Sequence, residues 1–248
     1  MAVPGRCSGA SFAPCLLLLG LLLLGLPLHA QAPEVHSGHE HHGQHGQHGE
    51  EQPGIHHDFS DAERWHRIFD DPSRDAWQQP RKVVALLDLH PGMTAVDLGA
   101  GTGYFLPYLA DAVGSEGRVL GLDPEATLVE FMARRVAQKG LANVEARQIP
   151  FDDPQLADAS VDRVLIVDTW HHIDGRSAYA TRLARALKPG GRIYVVDFTR
   201  DSPQGPPPEH RLPPEQVVAE LEQGGLEAEV VATDLPYQYV VSAHRSGE

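Results

Sequence analysis

Residues 96–105 read Val-Asp-Leu-Gly-Ala-Gly-Thr-Gly-Tyr-Phe, and the predicted fold class rests mainly on this segment. A short apolar run that ends beside Asp97 predicts a buried strand, and the glycines after it predict a tight loop that leads into a helix. Gly99, Gly101 and Gly103 have no β-carbon, so the backbone can approach a ligand closely at these positions. A glycine loop of this kind also occurs in dinucleotide sites, so the loop alone does not define the ligand.

Two acidic residues limit the class of ligand that the glycine loop is expected to bind. Asp97 lies at the end of the first strand, where its carboxylate repels phosphate and suits a cationic amino group. Asp123 ends the next strand about 20 residues beyond the loop, where a carboxylate can accept hydrogen bonds from ribose hydroxyls. Together they favour a nucleoside that carries an amino group. The turn Lys188-Pro189-Gly190-Gly191 later joins a helix to a strand.

Strand-like and helical runs alternate around the loop. The predicted strands are 94–98, 118–122, 144–148, 161–167 and 192–198, and the predicted helices are 104–113, 126–139, 177–187 and 215–223. This alternation predicts a parallel sheet with helices on both faces. Runs at 228–233 and 238–244 are separated by a short connection, which predicts a terminal hairpin and therefore an antiparallel strand.

Two helices are predicted before the first strand. Ser60 is expected to cap a helix that carries Trp65 and Phe69, and a second helix is expected from Trp77 to Leu89. We expect these helices to close over a bound ligand. Their aromatic residues are predicted to pack in the core or in this lid, and contact with an acceptor molecule is the alternative.

Residues 1–32 have the order of a secretory signal. Arg6 precedes the apolar run 16–28, and small residues follow at 30–32. The run is shorter than the roughly 20 residues that a membrane-spanning helix needs. Cleavage is therefore favoured, with an uncleaved membrane anchor as the alternative. The segment predicts an exported protein, periplasmic or secreted, without stable membrane insertion after cleavage.

Residues 33–57 are rich in histidine, glycine and glutamine and contain few apolar residues, which predicts a disordered linker. Neutral imidazoles can bind Zn, Cu or Ni loosely, and a solvated linker with repeated histidines is an equal alternative. The candidate metal ligands are His36, His39, His41, His42, His45 and His48.

Charge and cysteine content exclude several classes of function. The formal net charge is -14, which disfavours nucleic acid as a partner. Cys7 and Cys15 both precede the predicted cleavage site. The remaining chain can therefore form neither a disulfide nor a thiolate nucleophile, and no cysteine-based metal site is possible. A small molecule is the expected partner, and the sequence does not define an oligomeric state.

With these motifs, residues 83–198 resemble class I S-adenosylmethionine-dependent methyltransferases, nearest in pattern to those of ubiquinone and menaquinone biosynthesis. The resemblance implies a Rossmann-like α/β domain over 58–248. Its seven-stranded, mostly parallel sheet would have the order 3-2-1-4-5-7-6, with the last strand antiparallel and helices on both faces. The resemblance implies S-adenosylmethionine as the cofactor and methyl transfer to a small-molecule acceptor as the reaction.

The resemblance also implies roles for individual residues. The segment that would hold the methionine part of the cofactor contains Asp97, Gly99, Ala100, Gly101 and Gly103. Further positions matched to the cofactor site are Asp123 and Pro124 at the ribose, Gln148 and Asp152 at the adenine, and Asp168 near the methyl group. The usual Gly-Asp-Ala pattern of the adenine segment is missing here. His171 and His172 are candidate bases for the acceptor, and shaping of the pocket is the alternative.

Two other classes of function remain open. A nucleotide-dependent oxidoreductase is disfavoured by Asp97 and by the terminal hairpin. An exported, non-catalytic protein that binds a ligand or metal would reconcile the signal with the domain, because S-adenosylmethionine is made in the cytosol.

Overall fold

The computed structural model describes residue 54 and residues 58–247. The predicted signal peptide and the six candidate metal histidines lie outside the described residues. So does the histidine-rich linker, apart from Gly54, whose backbone N–H donates to Asp174 Oδ1 at 2.7 Å. Within residues 54 and 58–247, no helix combines the length and the apolar character that crossing a membrane requires.

Helices and strands alternate over most of the chain from the first strand onward, as the sequence predicts, but the third strand is followed directly by the fourth and the sixth directly by the seventh. The helices are α1 (Ala62–Phe69), α2 (Arg74–Gln78), α3 (Pro80–Leu86), α4 (Leu106–Val113), α5 (Ala126–Lys139), α6 (Arg176–Ala186) and α7 (Pro214–Gln223). The strands are β1 (Thr94–Leu98), β2 (Arg118–Asp123), β3 (Val144–Gln148), β4 (Val161–Val167), β5 (Leu187–Phe198), β6 (Leu226–Val231) and β7 (Gln238–Arg245). Short 3-10 helices occur at Trp170–His172 and Pro208–His210.

The seven strands form one sheet in the order β3-β2-β1-β4-β5-β7-β6, which confirms the predicted topology. The first five strands are parallel. β7 runs antiparallel to both β5 and β6, so the predicted terminal hairpin is also confirmed. The strand order reverses between β1 and β4, and ligands of open α/β sheets bind beyond the carboxyl ends of the strands at such a point.

A hydrophobic layer covers each face of the sheet. On one face, Leu183 of α6 and Leu221 of α7 pack against the strands. On the other, Val83 of α3, Leu109 of α4 and Met132 of α5 do the same. Burial on both faces explains why the central strands are almost continuously apolar.

The structure corrects the predictions for the two N-terminal helices. Asp61, and not Ser60, caps α1, because its side chain accepts a hydrogen bond from the backbone N–H of Arg64. The helix predicted over residues 77–89 is divided into α2 and α3. Gln79 adopts a left-handed conformation with φ 47° between them, because the ring of Pro80 disfavours helical backbone at the residue before it.

β5 also differs from its prediction. The segment Lys188–Gly191, predicted as a turn outside the strand, lies within β5 as an irregularity. Leu187 pairs with Val161, whereas Arg192 pairs with Arg163, so the register shifts between the two pairs. The extra residues are accommodated as a bulge.

Candidate active site

Four aspartates lie along the carboxyl edge of the sheet. Asp123 and Asp97 are at the ends of β2 and β1, Asp168 directly follows β4, and Asp197 is near the end of β5. These four strands are neighbours in the order β2-β1-β4-β5. The topology therefore gathers carboxylates that are up to 100 residues apart in the chain into one acidic row at the switch point.

The glycine loop folds back onto β2. The backbone N–H groups of Gly99 and Ala100 donate to Leu122 O at 2.8 and 3.0 Å. Gly99, Gly101 and Gly103 have φ values of 71°, 55° and 78°, in the left-handed region that favours glycine. A β-carbon on Gly99 would lie 2.3 Å from the side chain of Thr169, so this position cannot carry a larger residue without rearrangement.

Asp123 is fixed by the loop that precedes it in the chain. Its carboxylate accepts hydrogen bonds from the backbone N–H groups of Gly101 at 2.8 Å and Glu125 at 2.9 Å. Burial raises the pKa of Asp123 to about 6, although both hydrogen bonds lower it. Pro124 and Gln148 lie beside this acid, where the Gln148 side chain donates to Pro124 O at 3.0 Å. The structure thus brings three of the predicted cofactor residues together at the end of β2.

Asp97 is 3% exposed. Among residues 54 and 58–247, no hydrogen-bond donor reaches its carboxylate. Burial raises its pKa to about 7; the Arg74 guanidinium opposes this shift and the Asp123 carboxylate adds to it. A buried acid without a donor is costly unless a cation completes it. The ammonium group of an amino acid fits that requirement.

Arg74, at the start of α2, is a residue that the sequence motifs did not identify. Its guanidinium donates to Phe69 O at 2.9 Å and to Gln78 Oε1 from two nitrogens, at 3.1 and 2.9 Å. It lies 4.4 Å from the centroid of the Tyr104 ring. Its Nη2 is 3.5 Å from Asp168 Oδ2. Arg74 is the basic residue of α2, and its guanidinium lies beside Asp168 of the acidic row.

Asp168 links the acidic row to the terminal hairpin. Its Oδ1 accepts a hydrogen bond of 2.6 Å from Gln238 Nε2, and Gln238 Oε1 in turn accepts from Gln78 Nε2 at 2.6 Å. Burial raises the pKa of Asp168 to about 7, against the influence of Arg74. Asp168 also has a φ of 53°, an unusual backbone conformation for a residue other than glycine. Gln78 and Gln238 were not identified from the sequence.

The two candidate bases have different surroundings. His171 is buried, and its Nδ1 lies 2.9 Å from both carboxylate oxygens of the equally buried Asp197. Burial lowers the pKa of His171, but the charge and hydrogen bond of Asp197 outweigh it and the net shift is upward. His172 is half-buried, and its ring packs edge-on against Phe59 at 5.5 Å. Asp197 was not among the predicted residues.

Helix α1 lies over the glycine loop. The ring of Phe69 would be 3.4 Å from a β-carbon on Gly101. Thr102 Oγ1 donates to Asp70 Oδ2 at 2.7 Å, and Arg135 of α5 pairs with the same aspartate. The aromatic residues Trp65 and Phe69 stack with centroids 5.1 Å apart. The C-terminal end of α1 thus lies against the glycine loop at Gly101 and Thr102.

One of the predicted cofactor residues, Asp152, is not brought to this site. Asp152 is exposed, and no described contact joins it to the glycine loop or to Asp123. Within the described part of the chain, no cluster of three or more histidine, cysteine or acidic side chains has the arrangement of a metal site.

The arrangement defines a nucleoside site of the Rossmann-like class, and comparisons with known proteins agree. A family model described as a methyltransferase domain matches residues 89–238. A crystal structure of an S-adenosylmethionine-dependent methyltransferase from Aquifex aeolicus is 31% identical to this chain, with a TM-score of 0.69. That match covers 74% of this chain and 97% of the other. The chain therefore belongs to the methyltransferase domain family.

Named relatives cover a range of acceptors. Nocamycin O-methyltransferase from Saccharothrix syringae is 32% identical over 170 residues, which are 67% of this chain and 58% of that protein. Demethylmenaquinone methyltransferase from Bacillus cereus is 27% identical over 130 residues, 50% of this chain and 52% of that protein. The chain thus spans less than two thirds of the length of these curated relatives.

Proposed function

We propose that this protein transfers a methyl group from S-adenosylmethionine to a small-molecule acceptor. The observation that carries the proposal is Asp97, a buried carboxylate that no donor among the described residues 54 and 58–247 reaches. It lies beside a glycine loop whose next strand ends in Asp123. These groups fit the ammonium and the ribose of the cofactor, respectively. When bound, the cofactor supplies an electrophilic methyl carbon on a positively charged sulfur.

The protein's own contribution is orientation and exclusion of water. The loop backbone and Asp123 would hold the nucleoside, and α1 would cover it, as the contact between Phe69 and Gly101 indicates. Asp168 and His171 are on the β4 side of the switch point and would face the acceptor. Burial of these groups keeps water from competing for the methyl group.

Calorimetric binding of S-adenosylhomocysteine tests the cofactor site. We expect Asp123→Ala to weaken binding by about tenfold or more, because the ribose hydroxyls lose a charged hydrogen-bond acceptor. Asp158→Ala is the matched control, since Asp158 is an exposed acid that pairs with Arg185 on the surface. Equal affinity of the wild type and Asp123→Ala would remove Asp123 from the site.

We propose His171, rather than His172, as the group that accepts a proton from the acceptor. Asp197 fixes the Nδ1 side of the ring, which leaves Nε2 to receive the proton. Asp168 and Arg176 also act on His171 electrostatically, with opposite signs, and the His172 ring lies 4.2 Å away. Such a base suits an acceptor that loses a proton on methylation, such as a hydroxyl group, and the O-methyltransferase relative supports that choice.

NMR titration of the histidine rings tests this assignment without an acceptor. We expect the pKa of His171 to lie above its ordinary value in the wild type and to fall in Asp197→Asn, because the charge and the hydrogen bond of the carboxylate that raise it are lost. Asp158→Asn, at an exposed acid that pairs with Arg185 on the surface, is the matched control and should leave the His171 pKa as it is in the wild type. An unaltered His171 pKa in Asp197→Asn would contradict the pairing.

The finer proposals concern the acceptor and the location. A quinone-like or other aromatic acceptor is supported by the sequence pattern and by the menaquinone relative. Export is supported by the signal-like order of residues 1–32. Mass spectrometry of the protein from its native host tests cleavage of this signal, since an amino terminus after Ala30 or Ala32 supports it and an intact Met1 contradicts it. Neither an oxidoreductase nor a non-catalytic metal carrier receives support from the relatives.

A further inference from the structure

Two buried glutamines lie between α2 and Asp168. Gln78 of α2 and Gln238 of β7 are 0% and 2% exposed, although they are 160 residues apart in the chain. Gln78 Nε2 donates to Gln238 Oε1 at 2.6 Å, and Gln238 Nε2 donates to Asp168 Oδ1 at 2.6 Å. Buried amide groups are costly unless they are hydrogen-bonded. The two side chains therefore form a continuous polar link from α2 to Asp168.

The direction of this link is set by Arg74. A guanidinium can only donate hydrogen bonds, and Arg74 Nε and Nη2 donate to Gln78 Oε1 at 3.1 and 2.9 Å. The carbonyl of Gln78 is thereby occupied, so its amino group faces Gln238. For the same reason the amino group of Gln238 faces Asp168, which must accept. Reversal of either amide would bring two donors or two acceptors together.

The link closes into a ring at Asp168. Arg74 Nη2 lies 3.5 Å from Asp168 Oδ2, so the charges at the two ends of the link also face each other. The ring joins α2, β7 and the residue that follows β4, which are far apart in the chain. Asp168 has a φ of 53°, and a residue other than glycine keeps such a backbone conformation only where its surroundings enforce it. The ring is one such constraint.

We propose that Gln238 and Gln78 are positioning residues that hold the Asp168 carboxylate in place on the acceptor side of the site. This inference rests on the proposed function, in which Asp168 faces the acceptor. Gln238 acts on Asp168 directly, and Gln78 acts by fixing which end of the Gln238 amide faces it. Helix α2 thus controls an acid that belongs to the sheet. The contrasting role is packing alone, for which the direction of the amides would not matter.

Carbon-13 NMR titration of the Asp168 carboxyl group separates these roles. The resonance is the one that Asp168→Asn removes. Burial raises the pKa of Asp168 to about 7; Arg74, His171 and Gln238 oppose this shift, and Asp197 adds to it. Gln238→Met keeps the length of the side chain but loses the donor. We therefore expect the pKa of Asp168 to rise above its wild-type value in this variant.

Two neutral variants control for folding and for the loss of a glutamine. Gln238→Asn keeps an amide but withdraws it by one methylene group, so it should fold even if Gln238→Met does not. The pKa of Asp168 should rise in this variant too. Gln223→Met replaces an exposed glutamine of α7 that accepts a hydrogen bond from Ser177 at 2.9 Å. This variant should leave the pKa of Asp168 unchanged.

Gln78→Glu tests the direction of the link without altering Gln238. The introduced carboxylate can still accept from Arg74, but it cannot donate to Gln238. The Gln238 amide should turn and present its carbonyl to Asp168, and this raises the pKa of Asp168. The added charge raises it as well. In the background of a Gln238 variant only the charge effect remains, so Gln78→Glu should raise the pKa less there than in the wild type.

Two results would overturn this inference. One is an Asp168 titration that is unchanged in the folded Gln238 variants, and the other is an equal effect of Gln78→Glu in both backgrounds. Calorimetry of S-adenosylhomocysteine with the wild type tests the proposed function separately. If the ligand binds, the proposed function survives either of these two results. If it does not bind, the proposed function fails, and the assignment of Asp168 to an acceptor fails with it.

Discussion

Cofactor binding should depend on pH through Asp97. The unliganded carboxyl has a pKa of about 7, and only its ionised form attracts an ammonium group. The ionised fraction is therefore about one tenth at pH 6 and about one half at pH 7. Affinity for S-adenosylhomocysteine should rise about fivefold over this interval, which corresponds to about 1 kcal/mol.

The sign follows from proton linkage. Ligand binding favours the ionised carboxylate, so it lowers the pKa of Asp97 and releases close to one proton at pH 6. Affinity therefore increases as pH rises toward 7 and then levels off. Near pH 8 the ligand's own amino group begins to lose its proton, and affinity should fall again. Asp123 has a pKa of about 6. Its ionisation should raise the affinity for the ligand by a further factor of about two at most between pH 6 and pH 7.

Calorimetry in two buffers of different ionisation enthalpy measures both the affinity and the protons released. The Asp97→Asn variant keeps the shape of the side chain but cannot titrate, so its remaining pH dependence belongs to Asp123 and Asp168. If the wild-type affinity stays constant from pH 6 to pH 7, Asp97 does not bind the ammonium group of the ligand. The same slope in Asp97→Asn would lead to the same conclusion.

Two substitutions, Gly99→Ala and Glu220→Gln, test buried contacts of the domain, and Gly140→Ala is a control for the first. Gly99→Ala should lower the free energy of unfolding by about 3 kcal/mol, because its β-carbon would meet Thr169 at a φ of 71°. Gly140→Ala has a similar φ of 64° with nothing within 4 Å, so it should cost about 1 kcal/mol; equal losses by chemical denaturation would deny the close contact. Glu220→Gln should cost about 3 kcal/mol, because the buried Arg176 loses its ion-pair partner at 2.8 Å. A loss below about 1 kcal/mol in urea titration would show that this pair is dispensable.

The central part of the fold could be predicted because its signals are local. The strand, glycine loop and helix of residues 94–113 occupy one continuous segment, and Asp97 and Asp123 end apolar runs that are visible in the sequence. The terminal hairpin follows in the same way from two short strands and a short connection. These features depend on neighbours in the chain, so no tertiary information was needed.

The remaining site residues depend on contacts between distant segments. Arg74 and Gln78 come from α2, and Gln238 comes from β7; only the folded sheet brings them to Asp168. Nothing in their own surroundings in the sequence distinguishes them. Asp197 is different, since it ends the apolar run of β5 as Asp97 ends that of β1. The reasoning applied to Asp97 could have identified it.

The boundaries of the N-terminal helices were predicted less well for a physical reason. An exposed helix start offers several polar residues of similar capping ability, and the choice between Ser60 and Asp61 depends on backbone geometry. The break at Gln79 could have been expected from Pro80, because proline restricts the residue before it.

A crystal structure of the protein with S-adenosylhomocysteine would show whether the cofactor binds at the glycine loop, Asp97 and Asp123. We expect the amino-acid part of the ligand beside Asp97, its ribose at Asp123, and α1 displaced from Gly101 to admit it. A ligand bound elsewhere, or a glycine loop that stays covered by Phe69 at saturating ligand, would contradict the account.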